Sequence, residues 1–124
     1  MKIQFYFCKH CGNVIAIIKD NGVPIKCCGE KMQEIIPCTS DGAQEKHAPI
    51  YNVNGETVSV SVGATEHPMT DEHYIEWVCI ETEDNLQLKF LTPGVSPRIS
   101  FSISKGEKVK AVYAFCNLHS LWKA

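Results

Sequence analysis

Four cysteines stand in the arrangement Cys8-Lys9-His10-Cys11-Gly12 and Cys27-Cys28-Gly29. Two thiolates separated by two residues fit one tight turn whose backbone N–H groups can point at sulfur, and Gly12 can take the positive φ that such a turn requires. Four sulfurs around one point make a tetrahedral site that suits zinc or iron, and the sequence does not choose between them. A pair of disulfides is the competing reading, but adjacent Cys27 and Cys28 serve disulfides poorly. His10, inside the turn, is expected to be a solvated side chain, because four sulfurs already satisfy an ion.

A second set of donors lies further along: His47, His67, His73, Cys116 and His119. Cys116-Asn117-Leu118-His119 follows directly on the apolar run from Val109 to Phe115, so one strand end could present a thiolate and an imidazole to the same ion. His67 and His73 bracket a loop, and all four histidines fall on loops or strand ends, where a β-scaffold gathers its functional residues. Any one of them could be an ordinary surface or core histidine; the joint pattern with Cys116 is harder to dismiss. Four imidazoles and a thiolate exceed an ordinary zinc site but suit six-coordinate iron with one position open. Ferrous iron so ligated carries a single positive charge and would draw a small anion. A thiolate opposite the open position pushes electron density through the metal, as it does in thiolate-ligated haem.

The rest of the composition is ordinary, which makes the seven cysteines and five histidines in 124 residues the outlying feature. Hydrophobic residues at 44% and charged residues at 21% exclude disorder and fibrous repeats. A formal charge of −2 gives no electrostatic footprint for nucleic acid or an anionic membrane. The longest apolar run is short, and Met1 to Phe7 lacks the apolar core and cleavage site of a signal peptide, so a cytoplasmic protein is expected. In that reducing compartment an odd number of cysteines points to metal binding or catalysis.

Two domains must position these residues. Residues 1–36 form a self-contained module with an apolar stretch (Ile3, Phe5, Phe7), a β-rich run from Val14 to Ile18 and an Asn21-Gly22 hairpin signal. A module below about 40 residues rarely folds without a staple, and its four cysteines supply one. Residues 37–48 read as a linker or ordered loop, with the boundary near Pro37. Residues 37–124 then form the second domain, where Val58, Val60 and Val62 alternate with polar neighbours and Ile99, Phe101 and Ile103 alternate with serines. Tyr74 to Ile80, Leu86 to Leu91 and Val109 to Phe115 are three more strand candidates, and no stretch reads as a long amphipathic helix. Short strands at this spacing predict an antiparallel β-sandwich of immunoglobulin-like kind. Cys79 and Trp77 are expected in the core, Cys38 as an exposed thiol, and Tyr74 beside His73 could line the site.

These motifs together resemble desulfoferrodoxin, the two-iron class of superoxide reductase, across essentially the whole chain. Cys8-Lys-His-Cys11-Gly with Cys27-Cys28-Gly resembles a desulforedoxin-type iron centre. Glu45-Lys46-His47-Ala-Pro49, His67-Pro68-Met69-Thr-Asp-Glu72-His73-Tyr-Ile-Glu-Trp77 and Cys116-Asn-Leu-His119 resemble the three motif blocks of a neelaredoxin-like catalytic domain. The resemblance implies a mainly β chain in which a small rubredoxin- or desulforedoxin-like metal hairpin precedes the sandwich. It implies two irons per chain and no haem, flavin or inorganic sulfide: one iron on Cys8, Cys11, Cys27 and Cys28, and a second with His47, His67, His73 and His119 in its equatorial plane and Cys116 on its axis. In that family the ferrous second iron reduces superoxide to hydrogen peroxide and is restored by rubredoxin or a similar donor. By the same resemblance Glu45 can occupy the sixth position of the oxidised iron, and Lys46 attracts superoxide and organises protons for the departing peroxide. A homodimer is expected, with neither nucleic acid nor membrane as a partner. The alternative reading is a non-enzymatic iron-binding electron-transfer protein.

Overall fold

Short runs of β-branched and aromatic residues, punctuated by Gly, Pro, Asn and Asp, give twelve strands among the described residues. The computed structural model describes residues 3–38, 47–63 and 66–124, and the chain divides into two units, Met1–Ile36 and Pro37–Ala124. Among the described residues no helix is long and apolar enough to cross a membrane.

In the first unit β1 (Gln4–Phe7) pairs with β2 (Val14–Ile17) on one side and β5 (Gln33–Glu34) on the other, both antiparallel. Phe5, Ile3, Met32 and Ile35 are its buried apolar side chains, a core too small to hold the fold by itself. The turn between β1 and β2 contains Cys8 and Cys11. β3 (Lys26–Cys27) and β4 (Glu30–Lys31) form a separate hairpin whose two-residue turn is Cys28-Gly29. Asn21-Gly22 makes no hairpin, contrary to the sequence expectation. The strand that follows, β3, pairs with β4 and does not return to β2, and the Asp20 carboxylate takes the Gly22 N–H at 2.7 Å, which turns the segment into a loop.

The second unit is a sandwich of two antiparallel sheets, as the period-2 runs predict. One sheet has the order β10-β7-β6 and the other β12-β11-β8-β9. The strands are β6 (Pro49–Asn54), β7 (Thr57–Val62), β8 (Ile75–Thr82), β9 (Leu86–Phe90), β10 (Arg98–Ser102), β11 (Val109–Cys116) and β12 (Ser120–Lys123). Val58, Val60, Val62 and Phe101 from the first sheet pack against Val78, Ile80, Val112 and Ala114 from the second. Each of these buried Val, Ile and Phe side chains contributes about 1.5–3 kcal/mol relative to exposure. Across the open side of the sandwich, Lys89 Nζ and Gln87 Nε2 from β9 donate to the Ser100 and Ser102 carbonyls of β10 at 2.6 and 2.7 Å. These bonds cap an edge that would otherwise offer free carbonyls to another chain.

Two strands of the second unit were not expected. β6 has an Asn54-Gly55 turn leading into β7, a hairpin signal of the strongest short-range kind. β12 is four residues long and offers too few alternations to register as a period. It matters for the site, because its pairing with β11 brings Ser120 opposite Cys116.

Candidate metal centres

In the first unit the ligand atoms of Cys8, Cys11, Cys27 and Cys28 all lie within 4.8 Å of one another. Cys11 Sγ and Cys27 Sγ are 3.6 Å apart, close to the roughly 3.8 Å edge of a tetrahedron with metal–sulfur bonds of about 2.3 Å. Two knuckles create this. Gly12 (φ +83°) donates its N–H to the Cys8 carbonyl at 2.8 Å and reverses the chain. Cys28 (φ +54°) and Gly29 (φ +77°) form a turn with both central residues left-handed, as a type I′ hairpin demands. That geometry brings two adjacent cysteines to one point.

Electrostatics divides the four thiols. The Cys11 backbone N–H, aided by that of His10, pulls the Cys8 thiol down to about 6 against the opposing effect of burial. The Cys11 and Cys8 thiols push Cys28 up to about 12 and raise Cys27 as well. One thiolate thus forms readily while Cys27 and Cys28 resist further negative charge, a conflict a bound cation removes. His10 is exposed, as expected, and lies 3.4 Å from the Glu30 carboxylate, which Lys9 also reaches at 3.0 Å.

In the second unit four imidazoles form a near-square. Ring centroids of successive members His47, His67, His73 and His119 are 4.7, 4.6 and 5.0 Å apart, and 4.6 Å closes the circuit from His119 to His47. The His47–His73 diagonal is longer, at 6.1 Å. Cys116 Sγ lies within 4.8 Å of the ligand atoms of His47, His67 and His73 and 3.7 Å from His119 Nδ1. His119 is not in the set whose ligand atoms are all mutually within 4.8 Å, and joins it through His47 and Cys116. His47 Nε2 and His119 Nδ1 are 2.9 Å apart, matching the roughly 3 Å between neighbouring nitrogens bound at about 2.1 Å and right angles.

Local structure aims each donor. A register shift between Phe115 and Cys116 marks a bulge that redirects the last residue of β11. Ser120 takes φ +66°, rare for serine, to close the tight turn that brings His119 back over Cys116. Thr70 exchanges backbone hydrogen bonds with His73 at 3.0 and 3.2 Å, and this pinches the loop between His67 and His73. His67 is 2% exposed, and its Nδ1 is 2.7 Å from the Pro68 carbonyl, which fixes the proton there and leaves Nε2 as the acceptor. That Nε2 is buried with no hydrogen-bond partner. A buried acceptor left empty by the protein is satisfied by a metal ion.

Burial lowers the His67 pKa from 6.5 to about 4, so the ring stays neutral as a ligand must. Burial raises the Cys116 thiol, while the Leu118 and His119 backbone N–H groups pull the other way by stabilising the thiolate. Those N–H groups, a bound cation and the hydrophobic wall behind Cys116 set how strongly the sulfur donates.

Of the remaining residues singled out from sequence, Cys79 is fully buried and Trp77 stacks on Phe115 at 5.2 Å on the sandwich's other face. Cys38 is exposed and forms a bridge with Trp122. Tyr74 is half-buried and bonds through its backbone to Asn117. Glu45 and Lys46 lie outside the described residues. Asn117 and Trp122, both in contact with the second cluster's supporting segments, were not singled out. Asn117 lies inside the Cys116-x-x-His119 spacing, and that position was its one sequence signal.

A β-sandwich with one cluster of imidazoles and a thiolate, preceded by a four-thiol hairpin module, defines a two-centre non-haem metalloprotein. A family model described as desulfoferrodoxin matches residues 39–124. The chain is 44% identical over 123 residues to the desulfoferrodoxin of Clostridium acetobutylicum, covering 98% of this chain and 95% of that protein. It therefore belongs to the desulfoferrodoxin family. Among solved structures, the superoxide reductase from Treponema pallidum is 35% identical with a TM-score of 0.82, covering 99% of this chain and 97% of that one. The superoxide reductase (1Fe-SOR) from Giardia intestinalis is 32% identical with a TM-score of 0.56, covering 64% of this chain and 95% of that one. With both clusters present, the donor sets fit two iron centres in this chain.

Proposed function

We propose that this protein is a superoxide reductase, in which Cys8, Cys11, Cys27 and Cys28 hold one iron and His47, His67, His73, His119 and Cys116 hold the catalytic one. The observation that carries this reading is the ring of four imidazoles with the Cys116 sulfur close to it. Five donors leave a six-coordinate ion one position for substrate, and the similarity to superoxide reductases names the substrate. Ferrous iron there supplies one electron, so that superoxide, one electron and two protons give hydrogen peroxide and no dioxygen.

The protein's own residues do the rest. Four neutral rings and one thiolate leave the centre with a single positive charge, which favours a small anion over neutral dioxygen. Cys116, whose thiolate the Leu118 and His119 N–H groups stabilise, would be the sulfur donor. Lys46, next to His47 in the chain, would attract the anion and offer hydrogen-bond donors to the departing peroxide, and Glu45 would supply a further carboxylate donor to the oxidised ion. Residues 37–124 form the catalytic domain and residues 1–36 carry the first iron. Rubredoxin or a similar one-electron carrier returns the ferrous state, and the protein works in the cytoplasm as a homodimer.

The deciding experiment mixes ferrous protein with superoxide in the presence of a reductant and counts products. One peroxide per superoxide without dioxygen supports the reductase. Half that yield with dioxygen evolved would identify a dismutase, and no reaction would leave the electron-carrier reading.

A further inference from the structure

The His73 loop and the Cys116–His119 turn are 43 residues apart in sequence at the point where they touch, and one side chain joins them. The Tyr74 N–H donates to Asn117 Oδ1 at 2.9 Å. Asn117 Nδ2 donates to the Glu72 carbonyl, also at 2.9 Å. The Asn117 backbone N–H donates to the Tyr74 carbonyl at 3.2 Å. These three bonds bracket His73 from both sides, because Glu72 precedes it and Tyr74 follows it. At the other end Asn117 is covalently next to Cys116 and two residues from His119.

We infer that Asn117 is a positioning residue of the second centre, clamping the segment that carries His73 onto the turn that carries Cys116 and His119. The inference rests on the ligand assignment proposed above. Its chemistry is specific to the asparagine amide, which at this place must accept one backbone hydrogen bond and donate another. Aspartate keeps the acceptor for the Tyr74 N–H but sets a carboxylate against the Glu72 carbonyl. Alanine loses both side-chain bonds and retains only the backbone one. Glutamine carries the amide one methylene too far. With the clamp intact, three of the five donors sit on one hydrogen-bonded unit before any ion arrives. Without it, His73 can leave while Cys116 and His119 stay. Support of this kind around metal ligands typically changes affinity about 10- to 100-fold.

The test uses the full chain with its iron and follows release of ferrous iron to a chelator and, in the oxidised protein, the visible sulfur-to-iron absorption of each centre. Asn117→Ala is expected to release iron from the second centre about 10- to 100-fold faster, and to shift that centre's sulfur-to-iron band, while the four-cysteine centre keeps its spectrum and release rate. Asn117→Asp should fall between alanine and the parent. Parent-like release and an unmoved band in Asn117→Ala would overturn the clamp. So would equal acceleration at both centres, which reports general loss of folding. If Asn117→Ala does not fold, Asn117→Asp carries the same comparison. A parent protein with iron at the four-cysteine centre alone would overturn the ligand assignment itself, and the clamp with it.

Discussion

The indole of Trp122 stacks on the His47 imidazole with ring centroids 4.8 Å apart and planes 19° from parallel. Its Nε1–H also donates to the His119 carbonyl oxygen at 3.0 Å. One buried side chain therefore bears on two corners of the imidazole square, and those corners come from opposite ends of the second unit. Trp122→Phe keeps an aromatic face against His47 and loses the hydrogen bond, which should lower stability by about 1 kcal/mol with both irons retained. Trp122→Ala removes the wall as well. It should cost about 3–5 kcal/mol and deplete the second iron ahead of the first. Metal analysis beside thermal unfolding checks both variants; full iron in Trp122→Ala would show that His47 needs no such backing.

Cys116 is the donor that separates this centre from an all-nitrogen site. Cys116→Ser replaces a polarisable thiolate by a hydroxyl and should remove the second centre's sulfur-to-iron absorption and most superoxide reduction. The four-cysteine spectrum should be untouched, because none of its ligands changes. An unchanged visible spectrum at the second centre would exclude Cys116 from the ion.

The donors were legible because their chemistry is bound to residue type. Cys and His in short, repeated spacings have few other uses in a chain of average composition, and period-2 alternation at Val58, Val60 and Val62 reads as a half-buried strand without tertiary information. What surrounds the donors was not legible in the same way. Trp122 and Asn117 are generic residues whose roles come from the stack on His47 and the bonds to Tyr74 and Glu72, contacts that exist only after distant strands pair. The hairpin turns show the same limit. Asn21-Gly22 and Asn54-Gly55 carry the same dipeptide, yet only the second joins paired strands, because the strand after Asn21-Gly22 pairs onward with β4 and not back with β2. Cys28-Gly29 turns a hairpin with a cysteine at positive φ, a conformation its residue type disfavours and its place beside three other thiols makes useful.

Lys46 offers a test of long-range attraction. If its ammonium steers superoxide to the second centre, Lys46→Ala should slow the bimolecular reaction and flatten its dependence on ionic strength, because screening acts on the charge that has been removed. Fast mixing of ferrous protein with superoxide across a salt series measures both effects. Equal rates in the two proteins at every salt concentration would refute steering by this residue.

Acid should weaken the iron-free protein through His67. Burial holds its folded pKa at about 4, below the 6.5 of an exposed imidazole, so as pH falls the unfolded chain takes up the proton first. The sign follows: above 6.5 the group is neutral in both states and contributes nothing, and stability declines as pH drops from 6.5 through about 4. The full shift corresponds to at most about 3 kcal/mol. Iron should move this loss to lower pH, because a ligated Nε2 is closed to protons until the metal leaves. Denaturant midpoints of iron-free and iron-loaded protein at pH 7 and pH 5 measure the difference. His67→Gln, with no group titrating in that window, should show a smaller decline than the parent, and an identical decline in both would assign the acid sensitivity to other residues.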